Sequence, residues 1–287
     1  MSKSAILVVT VISITTLLAF VSAENVALCL QQTPTSPPKK SERRQIVAAR
    51  VKTPPKIDGI LNGSVWEEAQ PSQGFIQSKP DMGEPMTQQT AITIIYDDEN
   101  IYVGIQCYDS EPEKVTGTEM RRDHEGVWDF NDYVRFVLDT HHDLRSAYYF
   151  GTNPLGAQVD ARITNNGGNF HQNWDAVWDC AATRHSQGWS AEFSIPFRQL
   201  RYPNKEKHIW GFNCARSIQR SSEWGCWSSI EMKTISSISS AGELVGLEDI
   251  PRSRGLEIRP TAVSGAEVNY SSETDVDSIK KPSIDVK

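Results

Sequence analysis

From residue 90 to residue 228 the chain repeats one pattern: short runs of alternating side chains, separated by Gly, Asn, Asp and Pro. Ile92, Ile94 and Tyr96 share one parity, and the DDEN turn at 97–100 leads into Ile101, Val103, Ile105 and Cys107. Val134, Phe136 and Leu138 repeat the pattern, as do Trp189, Ala191, Phe193 and Ile195, and then Trp210, Phe212 and Cys214, which pair back through Trp224 to Ser228. A side-chain period of two puts each set on one strand face, so the pattern predicts antiparallel sheets with a buried side. Helix signals are few: Ser64 as the cap of a short turn through Ala69, and a second turn over Pro196 to Leu200. The expected fold is all-β, an antiparallel β-sandwich of jelly-roll type over residues 45–250. Eighteen Gly, fifteen Pro, eight Trp, eight Tyr and nine Phe suit that class. A net charge of −7 lacks the basic footprint of a nucleic-acid-binding protein.

The flanks read differently. Lys3, the apolar run Ala5 to Phe20 and the small residues Val21-Ser22-Ala23 predict a signal peptide over 1–23. An uncleaved membrane anchor is the alternative, at the short limit for spanning. Leu28 argues against reading Cys29 as a lipoprotein cysteine. Residues 24–44, rich in Pro, Ser and charge, form a linker. After 251 a new alternating segment starts at Leu256, so residues 251–287 read as a linker and the first strands of a truncated second domain. Export permits disulfides. Cys214 and Cys226 sit at equal offsets from a hairpin centred near Arg220, which allows a cross-strand bridge or two buried thiols. Cys107 reads as a small core residue.

The stretch PPKIDGILNGSVWEEA (54–69) resembles the opening of family 9 carbohydrate-binding modules, where an Ile-Asp-Gly turn leads to a short helix carrying a Trp. TAITIIYDDENIYVGIQCYDSEP (90–112), DFNDYVRFVLDT (129–140), GWSAEFSIPFRQLRYP (188–203) and WGFN (210–213) extend the likeness over most of residues 50–247. With YYFGTNPLGAQVD (148–160) and NWDAVWD (173–179), the chain is most similar to the subgroup at the N-terminus of bacterial outer-membrane proteins with a large C-terminal β-barrel. The resemblance implies an exported domain, in the periplasm or at the outer membrane, that binds a polysaccharide or oligosaccharide and is associated with carbohydrate catabolism. Its own barrel would be a further partner.

In that family two Trp side chains sandwich a terminal sugar. Trp128 lies within one residue of the first position, while residues 228–241, where the second belongs, hold no aromatic. The family's Phe-Arg-Val-Asn strand becomes Phe150-Gly151-Thr152-Asn153, which keeps Asn153 and lacks the Arg. Trp174 and Trp178, four apart, are ligand contacts or core residues sharing one face. Structural calcium, also implied by the family, would use loop carboxylates, with Asp123, Asp129 and Asp132 as candidates. No catalytic residues stand out: the carboxylates show no spacing that marks a glycosidase pair, and nucleophile elbows and phosphate loops are missing. A non-catalytic module is therefore expected. The alternatives are a structural or presenting domain of an outer-membrane barrel and, last, a module of a glycoside hydrolase.

Overall fold

The computed structural model describes residues 43–228 and 235–252 in full, and the backbone of 258–268 and 276–286. The signal segment, the linker through residue 42 and Cys29 lie outside the described residues.

The alternating runs become strands. In chain order these elements are β1 (Gln45–Val47), β2 (Ala49–Arg50), α1 (Ser64–Glu67), β3 (Ile76–Lys79), β4 (Thr90–Tyr96) and β5 (Asn100–Tyr108). There follow α2 (Gly126–Asp129), β6 (Tyr133–Asp139), β7 (Ala147–Thr152), β8 (Gln158–Thr164) and β9 (Asn169–His171). The sandwich is completed by β10 (Asp179–His185), β11 (Gly188–Pro196), β12 (Lys207–Ile218), β13 (Glu223–Cys226) and β14 (Gly242–Glu248). The alternating segment expected after residue 251 forms β15 (Ile258–Val268), paired antiparallel with β16 (Val276–Val286). The second helical turn expected is a 3-10 turn at Phe197–Gln199.

Two sheets make the sandwich. The larger runs β1-β14-β12-β6-β7-β8-β9, and the smaller runs β10-β11-β5-β4-β2. β12 is long enough to hold two partners along one edge: Lys207–Phe212 pair with β14, and Ala215–Ile218 with β13, beyond which lies β3. Neighbours are antiparallel except β1 with β14 and β2 with β4. Phe136 of β6 meets Phe193 of β11 edge-on at 5.0 Å, tying the two sheets together, and Trp178 lies flat on Phe193 at 5.7 Å. Burying each such ring contributes about 1.5–3 kcal/mol.

The Ile-Asp-Gly turn has a physical reason. Glu192, buried on the outer face of the smaller sheet, accepts hydrogen bonds from the backbone N–H of Asp58 (2.8 Å) and Gly59 (2.7 Å) and from the Trp66 indole (2.9 Å). Gly59 has φ +83°, and a Cβ there would come 2.6 Å from the Ala182 backbone, so only glycine fits. Trp66 thus clamps α1 over Ile95 and Tyr102, covering a sheet face. Ser64 starts the helix instead of capping it, because Gly63 holds the cap position.

The larger sheet departs from the simple alternation. Val134, Phe136 and Leu138 face the interior, but Tyr133 and Val137, of the opposite parity, are also fully buried. A second apolar cluster covers this outer face, roofed by Val127 of α2 and by Ile235 and Ile238.

Candidate functional site

The rim of that second cluster carries two half-buried tryptophans, Trp128 on α2 and Trp224 on β13. Two adjacent buried residues, Asn131 and Asp132, hold the segments that carry them. Asp132 accepts hydrogen bonds from the backbone N–H of Thr116 (2.5 Å) and of Gln219 (3.3 Å), at the β12–β13 turn that leads to Trp224. Asn131 accepts from the Thr118 N–H and donates to the Gly126 carbonyl at the start of α2. The two side chains have no exposed surface, and burial pushes the Asp132 carboxyl up. They bolt both aromatic supports to one end of the larger sheet.

Beside Trp224 the sheet surface presents Arg135. Its guanidinium lies 5.5 Å from the Tyr133 ring centre and 5.7 Å from that of Trp224, and Nη1 donates to Ser217 Oγ at 3.0 Å. Contact with an aromatic face stabilises a guanidinium by about 0.5–2 kcal/mol and leaves its remaining donors free. Among the described residues no carboxylate pairs with it. Gly151 stands directly across the β6–β7 ladder from Arg135, and a Cβ there would come within 2.0 Å of the Tyr133 hydroxyl. An arginine is thus present on the neighbouring strand, opposite the position where the sequence lacks one. Trp224 and Arg135 were not legible as site residues: the first read only as a strand residue, and the second needed the β6–β7 register. The signal for the second was Gly151 itself, an unexplained glycine within a strand.

The other residues expected at a sugar site lie elsewhere. Asn153 is fully buried, its Oδ1 accepting from the N–H groups of Leu155 (3.0 Å) and Ala157 (3.2 Å) and its Nδ2 donating to the Glu119 carbonyl (2.7 Å). It builds the turn after β7 and anchors the segment leading to α2. Trp174 and Trp178 sit on an extended loop, not a strand, and pack on the inner face of the sheet. Trp174 meets Tyr148 at 4.9 Å and Trp178 meets Phe150 at 5.2 Å. Both are remote in character from the outer face that carries Trp128.

The disulfide expectation is overturned. Cys226 pairs with Ala215, not with Cys214, so Cys214 faces the interior while Cys226 faces the outer cluster. A one-residue difference in register reverses the face of every side chain. The described cysteines are free. Burial pushes the Cys107 thiol up to about 12 and that of Cys226 up to about 11, which keeps them unreactive at neutral pH.

The calcium candidates also separate. Asp129 is exposed on α2, and Asp132 is committed to backbone N–H groups. Asp123 instead joins Asp160 and Asp175, with one carboxylate oxygen of each inside a 4.8 Å cluster. Hard oxygen donors of this kind suit calcium. The centre of the cluster, however, is filled by Arg122, whose Nη2 lies 2.6 Å from both Asp160 and Asp175. The cluster does not fit a resident metal ion while that side chain stays in place.

Comparison with known proteins places this architecture. Residues 57–225 match the family described as "Carbohydrate family 9 binding domain-like". A Bacteroides uniformis protein described as carbohydrate-binding shares the fold at TM-score 0.55 and 14% identity, over 71% of this chain and 99% of that one. A family 9 carbohydrate-binding module from Caldicellulosiruptor kristjanssonii aligns at TM-score 0.47 in two complexes. The cellotriose complex matches at 16% identity (72% of this chain, 96% of that one), and the glucose complex at 17% (72% and 98%). No curated protein matches the chain. The family match covers more than half of the sequence and spans every element of the site, so the chain belongs to the carbohydrate family 9 binding domain-like family.

Proposed function

We propose that the outer face of the larger sheet binds a glycan, with Trp128 and Trp224 offering aromatic faces and Arg135 offering donors to the hydroxyls. The observation that carries this reading is the Arg135 guanidinium. It is oriented by Tyr133, Trp224 and Ser217 and has no carboxylate partner among the described residues. Sugars are recognised by aromatic stacking on C–H faces together with a few fixed polar groups, and a planar guanidinium reaches two neighbouring oxygens at once. Membership of the family supports the same reading.

The domain acts outside the cytoplasm, in the periplasm or at the outer membrane, holding polysaccharide near the proteins that degrade it. Residues 1–23 support export, and the strands after residue 251 are compatible with a following barrel. The domain itself works by binding, without a catalytic step. Isothermal titration against a panel of oligosaccharides tests the assignment. Trp224→Ala and Arg135→Ala should each weaken the best ligand at least about tenfold, about 1.4 kcal/mol, with Trp128→Ala similar and the fold intact by circular dichroism. Unchanged affinity in Trp224→Ala and Arg135→Ala would remove this face as the site, and failure to bind any glycan would remove the reading itself.

A further inference from the structure

Six residues before Trp128, Arg122 reaches into the cluster of Asp123, Asp160 and Asp175, and all of its guanidinium nitrogens meet oxygen. Nη2 is 2.6 Å from Asp160 Oδ1, 2.6 Å from Asp175 Oδ1 and 2.8 Å from the Ala176 carbonyl. Nη1 donates to Gln158 Oε1 at 3.0 Å and Nε to Asp123 Oδ2 at 3.3 Å. Carboxylates, a backbone carbonyl and an amide carbonyl converging on one cation make the donor set of a calcium site. Asp160 is fully buried, so its charge needs a close positive partner. Its second oxygen accepts the Ala176 N–H at 2.7 Å, and the Asp160 N–H in turn donates to Asp123 at 3.1 Å.

We infer that Arg122 is a built-in substitute for a calcium ion: its guanidinium fills a calcium-type cage and makes the domain's fold independent of the metal. The cage joins three pieces of chain, namely the segment leading to α2, strand β8 and the loop carrying Trp174 and Trp178. A covalently attached cation does so without a free ion having to be captured. The cage also pins the approach to Trp128, because the Asp123 N–H donates to the Gln158 carbonyl beside it at 3.0 Å. One arginine charge faces three carboxylates, of which Asp160 is buried and Asp175 exposed, so its removal leaves a concentration of negative charge that a divalent cation offsets better than any monovalent one. The cation site is thus latent, closed by a single side chain.

Thermal unfolding and calcium titration of the whole protein test this. Wild type should melt within about 1 °C of the same temperature in EDTA and in calcium at about 5 mM, above the ~1 mM dissociation constants of weak extracellular sites. Arg122→Ala should melt roughly 5 °C lower in EDTA and regain more than half of the loss in calcium. The double variant Arg122→Ala/Asp160→Asn should regain nothing, and calorimetry should show one calcium taken up by Arg122→Ala alone. Should that variant fail to fold, Arg122→Gln, which keeps hydrogen bonding without charge, replaces it with the same expected rescue. Calcium stabilising wild type, with the shift abolished by Asp175→Asn, would overturn the inference by showing that the cage takes a metal despite the arginine. A folded Arg122 variant that binds no calcium would overturn it from the other side.

Discussion

At the scale of single residues, several buried polar side chains each fix the shape of a loop. Glu192, Asn131, Asp132 and Asn153 all have no exposed surface, and each gives at least one oxygen to backbone N–H groups of irregular segments, Glu192 using its other oxygen on the Trp66 indole. Such groups are costly to bury unpaired, about 1–3 kcal/mol each, which makes every one of them a constraint on loop shape. His208 behaves differently. It is 4% exposed, with its ring edge-on to Tyr202 at 5.4 Å, and burial holds it below the ordinary histidine value of 6.5. The folded state therefore favours the neutral ring, whereas the unfolded chain takes up a proton as the pH falls below 6.5. Stability attributable to His208 is full above that value and is lost progressively below it. His185, lowered by the same cause, adds to the slope. Urea unfolding at pH 7 and pH 5 should show lower stability at pH 5, and His208→Phe should flatten that difference. An unaltered difference in the variant would assign the effect elsewhere.

At the scale of elements, the strands were the most legible part of the sequence. Alternation located β4, β5, β6 and β11 because a period of two is a local property, carried by each strand alone. Register is not local. The β12–β13 hairpin was placed correctly around Arg220, yet its pairing is displaced by one residue, Ala215 with Cys226, and the disulfide expectation fell with it. Reductant should accordingly leave the melting temperature unchanged within about 1 °C, and thiol titration in denaturant should find Cys214 and Cys226 reactive without prior reduction. A drop on reduction would reinstate a bridge. The site was half legible for the same reason. Of the proposed site, Trp128 follows from the family resemblance, whereas Arg135 joins it only through the β6–β7 ladder and Trp224 only through its side of β13. Trp174 and Trp178 were rightly set on a common face, but that face is the core, reached by a loop that runs extended without pairing.

At the scale of the whole molecule, both sheets are covered on their outer faces, the larger by the second apolar cluster and the smaller by α1, and the proposed recognition surface sits on the rim of the larger sheet's cover instead of on an open sheet. Two of the residues proposed to bind, Arg135 and Trp224, are thereby mounted on a sheet with a buried outer face, which would limit the ordering cost when a ligand arrives. The edge of that sheet has another consequence. β1 and β14 are the first and last strands of the sandwich, and they run parallel, Gln45 beside Glu243 and Val47 beside Val245, with further bonds from Glu243 N–H to Arg44 and from Ala48 N–H to Val245. Chain leading into β1 and chain leaving β14 therefore depart from opposite ends of one edge. A pull exerted through those two connections slides the strands past each other and loads their hydrogen bonds together, as a lap joint carries load, whereas a pull on Arg162 and His171 would open the β8–β9 hairpin one bond at a time. Optical-tweezer handles at Gln45 and Glu248 should need a several-fold higher rupture force than handles at Arg162 and His171, and equal forces would refute the comparison. A domain loaded along this edge stays folded at tensions that open a hairpin, so force reaching it through the neighbouring chain leaves the sandwich intact.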